Sequence, residues 1–175
     1  MVRVDDYMDQ PELVRHQIFN IIRQYNERFR NEFGEMVICM DHTNVWRKKF
    51  FPQYKANRKK ARKQSKHDWT AMMNEVREEV ENYSPYRCVR IEGCEADDVI
   101  AAIVEAKNDP SPTVIVSPDK DFIQLQKYPN VKQFSNIQKK WVEPDVDAIT
   151  DLEMKILRGD TGDGIPNVMS DDNVL

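Results

Sequence analysis

Apolar residues at Val14, Ile18, Ile21, Ile22, Tyr25 and Phe29 recur at spacings of three and four, the signature of one helix face. Asp9-Gln10-Pro11-Glu12 supplies a start, because proline suits a first helical turn and acids suit its positive end. Gly34 supplies an end. The pattern then changes. Residues 36–40 form a short continuous apolar run, as in a strand buried on both faces, with Asp41 at its C-terminal end. Asp68 is placed to cap a second helix whose apolar face is Trp69, Met72, Met73, Val76 and Val80. Alternation over 86–91 predicts a strand. Ala96, Val99, Ile100, Ile103 and Val104 predict a third amphipathic helix, stopped by Asn108-Asp109-Pro110. Residues 113–116 read as another buried strand with Ser117-Pro118-Asp119 at its tip, 121–126 as a short helix, and 131–134 and 140–142 as short strands. A last helix over 145–157 runs into the loop Arg158-Gly159-Asp160-Thr161-Gly162-Asp163-Gly164-Ile165-Pro166. Strands alternating with helices predict an α/β fold, a mostly parallel sheet with helices on both faces. There is no internal repeat, low-complexity tract or interdomain linker.

Composition adds limits. The 175 residues are 40% hydrophobic and 9% aromatic, enough for a real core despite a charged fraction of 32%. No apolar run reaches the length of a membrane span, and no basic-then-apolar leader opens the chain. Cys39, Cys88 and Cys94 form neither a disulfide framework nor a paired zinc motif, so a reducing, cytoplasmic setting is expected. The net charge of −4 argues at first against a nucleic-acid partner, but it is a cancellation. Residues 42–67 contain no Asp or Glu. They hold ten cations, Arg47, Lys48, Lys49, Lys55, Arg58, Lys59, Lys60, Arg62, Lys63 and Lys66, which leaves the remainder at −14. Trp46, Phe50, Phe51 and Tyr54 are interleaved with them. Cations on long stems beside flat rings suit phosphates and unstacked bases; a solvated basic helix is the plain alternative.

The acids have an equally marked placement. Asp41, Glu92, Glu95-Ala96-Asp97-Asp98 and Asp119-Lys120-Asp121 fall at or just beyond the predicted C-terminal strand ends, where ligands gather in an open parallel sheet. Asp160 and Asp163 follow a helix and are able to fold back to the same edge. Converging carboxylates raise one another's pKa unless cations offset them. Hard oxygen donors without a Cys/His set point to Mg²⁺ or Mn²⁺ rather than zinc. Each motif alone also has an ordinary reading: Glu95–Asp98 and Asp119 as helix caps, the glycine loop as a turn. Arg158-Gly159-Asp160 matches a cell-adhesion tripeptide by coincidence. His16, His42 and His67 lack ligand spacing and read as ordinary surface or core residues.

Taken together, residues 37–41, Tyr54-Lys55-Ala56-Asn57-Arg58, residues 92–98, 117–121 and 159–168 resemble the 5′-nuclease family, the flap endonuclease and 5′→3′ exonuclease group with a PIN-like domain. Residues 51–62, 127–133 and 139–142 are similar to the bacteriophage ribonuclease H members of that family. The resemblance implies a metal-dependent, structure-specific 5′-nuclease acting on DNA or RNA–DNA duplexes at a 5′ end or flap, as in primer removal during replication. It implies two Mg²⁺ (or Mn²⁺). Asp41, Glu95, Asp97 and Asp119 would serve the first ion and Asp121, Asp160 and Asp163 the second, with Glu92 a weaker match and Asp98 an orienting neighbour. Lys55 and Arg58 match the family's basic pair on the arch or gateway, which steadies the scissile phosphate, within a nucleic-acid-binding set of Arg47, Lys48, Lys55, Arg58, Lys59 and Arg62. Gly162 and Gly164 belong to a loop, 159–164, resembling the start of a helix–three-turn–helix element that holds duplex phosphates with a K⁺. Replication proteins such as a single-strand-binding protein or clamp are implied partners, and the cytoplasm of a bacterial host the implied location if the chain is phage-encoded.

The resemblance divides the chain into a nuclease core over 1–157, with a basic arch over 42–67, and the start of the duplex-binding element over 158–175. The family pattern opens with a buried strand ending in an Asp; here only residues 1–6, with Asp5 or Asp6, stand in that place, so truncation at both ends is expected. Two other readings stay open. One is a nucleic-acid-binding fragment with an incomplete metal site. The other is a phosphatase of haloacid-dehalogenase type, whose nucleophilic Asp belongs near the start of the fold rather than two-thirds along it.

Overall fold

Where apolar residues recur at three and four, the backbone is helical, and where they run together it is extended. The computed structural model describes residues 11–56, 69–107 and 109–170. In chain order these form α1 (Pro11–Phe33), β1 (Val37–Cys39), a single turn α2 (Arg47–Phe50), α3 (Trp69–Tyr83), β2 (Arg87–Val89), α4 (Ala96–Ala106) and β3 (Thr113–Val116). A 3-10 helix (Lys120–Lys127), β4 (Val131–Ser135), β5 (Lys140–Trp141) and α5 (Ala148–Arg158) follow. Two compact units emerge, one drawn from Met1–Met40 and Ser65–Val89, the other from Asp41–Gln64 and Arg90–Leu175. Among the described residues no helix is long and apolar enough to cross a membrane.

The first unit is two helices and a two-stranded ladder. α1 stops where Gly34, at φ +83°, donates its N–H to the Arg30 carbonyl at 2.9 Å, a left-handed C-terminal cap that glycine adopts without strain. β1 and β2 pair in parallel, with Val37 opposite Arg87 and Cys39 opposite Val89. Met40, Val76 and Val80 form the core, with Ile18, Phe19, Ile22, Ile38 and Cys88 against them. The apolar run at 36–40 is not buried on both faces as its composition predicts, since Val37 is 40% exposed. Asp68 and His67 lie outside the described residues.

The second unit is built on a three-stranded ladder. β3 and β4 pair in parallel, Thr113 opposite Val131 through Val116 opposite Phe134. β5 returns antiparallel, with Phe134 opposite Trp141. Val104, Ile115, Phe122, Leu125 and Val131 make the core beneath, joined by Ile100, Ala101 and Tyr128. α5 begins three residues later than the apolar spacing suggests because its cap is Asp147, whose carboxylate accepts from the N–H groups of Ile149 and Thr150 at 3.1 and 3.0 Å. The mostly parallel α/β pattern is present. The hydrogen-bonded ladders fall into two sets, β1-β2 and β3-β4-β5, rather than one continuous sheet among the described residues.

Candidate functional site

A cavity of about 1240 Å³ opens in the second unit. Its walls include Asp41, Glu95, Asp97, Asp119, Asp121, Asp160 and Asp163, together with Arg47, Lys55 and Lys155. Every one of the seven acids singled out from the sequence as a metal ligand therefore faces one space. Local structure explains how each arrives.

Asp41 directs Oδ1 to the Ala96 N–H at 2.8 Å, satisfying an orphan donor at the start of α4. The chain beyond Asp41 is pinned to the approach of the same helix: the N–H groups of His42 and Trp46 donate to the Cys94 and Gly93 carbonyls at 2.9 and 2.7 Å. The Nδ1 of His42 accepts from the N–H of Gly93 at 3.3 Å, so this histidine is a local brace. Glu95 sits at the N-cap of α4 and is only 7% exposed. A buried carboxylate needs partners, and it has three: Tyr54 Oη donates to Oε2 at 2.7 Å, Lys55 Nζ to Oε1 at 2.7 Å, and the Arg47 guanidinium lies 3.2 Å from Oε2. Burial, then the hydrogen bond to Glu95, pushes the Tyr54 hydroxyl well above its ordinary pKa.

Asp98 lines the same cavity and is engaged by the basic turn. It accepts both Arg47 N–H groups at 2.7 Å and the Trp46 indole N–H at 3.3 Å, and it takes the Glu95 N–H at 2.9 Å. The Arg47 bonds hold its carboxyl below the usual range. Arg47 is itself sandwiched, 4.7 Å from the Trp46 ring centre and 5.8 Å from that of Tyr54. Asp97 is held above its ordinary pKa. Burial raises its pKa first, followed by the charges of Asp119, Asp41 and Glu95, against a partial offset from Lys55.

Asp119 follows β3 and caps the 3-10 helix, accepting from the Asp121 N–H at 3.0 Å. Beneath it Gln133, 1% exposed, donates Nε2 to the Ser117 and Asp119 carbonyls at 2.9 and 2.7 Å. That bracket fixes the Ser117-Pro118-Asp119 tip. The signal was in the sequence as a polar residue at an inward-facing strand position two after Val131. Lys155 of α5 pairs with Asp121 and lies 3.6 Å from Asp160. The sequence reading passed over Lys155 because nothing local distinguishes it from other surface lysines.

The glycine loop closes on itself. Asp160 and Ile165 exchange backbone hydrogen bonds of 2.8 and 2.7 Å, and Asp160 Oδ1 accepts from the Asp163 N–H at 3.1 Å. Gly159 must be glycine: its φ is +69°, and an added Cβ would lie 2.4 Å from the Pro166 carbonyl oxygen. Gly164, at φ +75°, is buried in the same loop, and Gly162 packs by Asp160. The loop is tied to the basic segment where the Lys55 N–H donates to the Asp163 carbonyl at 3.0 Å.

Four candidates stay outside the cavity: Glu92 and Lys48 are exposed, and neither they nor Gly162 and Gly164 line it. Arg58, Lys59 and Arg62 lie outside the described residues. Among the described residues no three Asp, Glu, His or Cys side chains close into an ion-holding group. Lysine is instead shared between acids, Lys55 by Glu95 and Asp163 and Lys155 by Asp121 and Asp160. The donor chemistry nonetheless fits a hard divalent cation: carboxylate oxygens, no thiolate or imidazole on the wall among the described residues, and in Asp97 a carboxylate crowded by like charge.

Residues 8–152 match the family of 5′-3′ exonuclease N-terminal resolvase-like domains. The chain is 39% identical over 165 residues to the ribonuclease H of Enterobacteria phage T4, spanning 89% of this chain and 54% of that protein. It is 30% identical over 131 residues to the flap endonuclease Xni of Shewanella sp. (strain MR-4), spanning 70% of this chain and 48% of that protein. A solved structure of the bacteriophage T5 D15 flap endonuclease, a pseudo-enzyme-product complex with DNA and metal ions, matches with a TM-score of 0.68. That match has 22% identity and covers 92% of this chain and 62% of that one, a likeness of fold. The chain spans about half the length of the curated relatives it matches.

Proposed function

The chain belongs to the family of 5′-3′ exonuclease N-terminal resolvase-like domains, and from that premise we propose that it is the catalytic part of a metal-dependent, structure-specific 5′-nuclease. Its substrates are phosphodiesters at 5′ ends or flaps of DNA or RNA–DNA duplexes, in the manner of primer removal during replication. The observation that carries the reading is the convergence of eight acids, the seven predicted ligands and Asp98, and three cations on one cavity.

Asp41, Glu95, Asp97 and Asp119 would hold one Mg²⁺ or Mn²⁺, and Asp121, Asp160 and Asp163 a second. Such ions supply a water ionised near neutral pH and charge stabilisation at the attacked phosphate. The chain's own residues supply the rest. Lys55 projects its ammonium into the cavity from a main chain bonded to the glycine loop, and there it offsets negative charge on a bound phosphate. Arg47, held by Asp98, keeps Glu95 oriented and brings positive charge to the wall. Arg58, Lys59 and Arg62 continue the basic track for the strand. The 159–164 loop, with a K⁺, would meet duplex phosphates through its backbone N–H groups. A single-strand-binding protein or clamp is the proposed class of partner, and the cytoplasm of a bacterial host the proposed setting. Nothing in the family or the cavity favours the phosphatase alternative.

The test is cleavage of a labelled 5′-flapped duplex and an RNA–DNA duplex with Mg²⁺, beside Asp119→Asn. The parent chain is expected to cut, and the variant to lose at least about a hundredfold in rate, the scale on which one electrostatic group acts. Full activity in Asp119→Asn would overturn the mechanism. A second reading, nucleic-acid binding without turnover, draws on the pairing of the acids with lysines rather than in threes. It predicts salt-sensitive binding of the same duplexes and no product.

A further inference from the structure

Trp46 and Phe50 sit on the wall of the cavity and are spent on no core. Phe50 is 80% exposed and Trp46 43%. A phenyl ring left in water forgoes the stabilisation of burial, and its place beside a charged cavity leaves its face open to a ligand. The two rings meet edge to face at 5.9 Å and 74°. Trp46 is fixed from two further sides: its indole N–H reaches Asp98 at 3.3 Å, and the Arg47 guanidinium lies 4.7 Å from the ring centre. The aromatic pair is thus rigidly mounted through Asp98 on α4, the helix that also carries Glu95 and Asp97.

We propose that Trp46 and Phe50 form a stacking platform for one unpaired nucleobase of the substrate, whose phosphate is met by Arg47 and Lys55. The proposal rests on the nuclease reading and deepens it. Chemistry selects this occupant. An apolar peptide would bring no charge for the cations on the wall, and a free phosphate would leave the rings bare. A nucleotide with an unstacked base offers a π-face to the rings and an anion to the cations. A paired base has both faces covered by its neighbours, so the platform selects a frayed or single-stranded nucleotide beside a duplex. It is one physical route to preferring a flap or loosened 5′ end over a blunt one.

The experiment measures binding of the full chain to a 5′-flapped DNA duplex, with Ca²⁺ in place of Mg²⁺. An abasic residue is placed at each unpaired position in turn. At one position the parent chain should lose about 5- to 100-fold in affinity, the range for one stacked base. Phe50→Leu, which alters an exposed ring, should bind the intact flap more weakly by that same factor and become indifferent to the abasic position. Phe50→Trp should restore the sensitivity. 2-Aminopurine at the sensitive position should lose fluorescence on binding to the parent and to Phe50→Trp, but not to Phe50→Leu. Tight binding by the parent with no sensitive position, or the same sensitivity in Phe50→Leu, overturns the platform and leaves the nuclease reading standing. No binding by the parent to any flapped or RNA–DNA substrate overturns the nuclease reading and the platform with it.

Discussion

The Asp98 carboxylate takes four hydrogen bonds, from Arg47 twice, Trp46 and the Glu95 backbone, and its lowered pKa converts into a stability profile. A depressed carboxylate stabilises the fold above its ordinary value of 3.8, and that contribution is lost as pH falls through the lower folded value. Asp98→Asn should therefore cost about 1–2 kcal/mol at pH 7, lowering Tm by about 2–6 °C. The gap from the parent should narrow steadily below about pH 4. Thermal denaturation across pH 3–8 checks it, and a constant gap would assign the loss to shape rather than charge. Residue identity was the most legible level. Clustered acids outside any apolar face, and aromatics within an acid-free stretch, were visible because each violates the pattern of its surroundings. Gln133 and Lys155 were not singled out, since their roles depend on partners distant in the chain, Asp119 for Gln133 and Asp121 for Lys155.

Glycine at 159 shows how an element boundary can be chemical rather than periodic. α5 must end, reverse and deliver Asp160 to the cavity within two residues. The turn leaves no room for a methyl group, with backbone oxygens of both Ile165 and Pro166 within 2.5 Å of where it would sit. Gly159→Ala should lower stability by about 2 kcal/mol or more, combining left-handed backbone strain with a collision that no side-chain rotation relieves. It should also raise the divalent-ion concentration needed for half-maximal cleavage. Equal denaturant midpoints for Gly159→Ala and the parent would contradict the close packing of this turn. Elements bounded by strong breakers were read closely from sequence. β3 is framed by proline on both sides and coincides with its predicted span. The segment after Asp119 was legible as helical but not as 3-10, because the tighter winding follows from packing Phe122, Ile123 and Leu125 all inward over eight residues.

At the scale of the molecule, alternation foretold parallel pairing, yet not its division into two ladders. Strands of two to five residues announce their presence but not their neighbours, and pairing is settled by non-local contacts. Each unit holds its own core, so no residue pattern along the chain marks where one ends. The charge balance is likewise a property of the assembled cavity. Lys55 lies between Glu95 and Asp163, and Lys155 between Asp121 and Asp160. Each ammonium offsets one of the two negative charges beside it. Mg²⁺ at a hundredfold excess over its Kd should add about 2.7 kcal/mol by mass action, a rise in Tm that Lys155→Met should enlarge by removing a competitor. An unchanged Tm with Mg²⁺ and Mn²⁺ would count against an assembled site. The lysines carry one more implication. In small zinc domains the ion is the scaffold, and a chelator unfolds the chain. On the two-metal reading proposed above, the lysine–acid pairs would serve as built-in counter-ions. The polypeptide would then reach its native shape in ion-poor surroundings, and chemical competence would come later, by exchange of tethered ammonium for dissolved metal. Circular dichroism in excess chelator should match that of the untreated protein while activity is lost, and the loss should reverse on dilution into Mg²⁺ without a refolding lag.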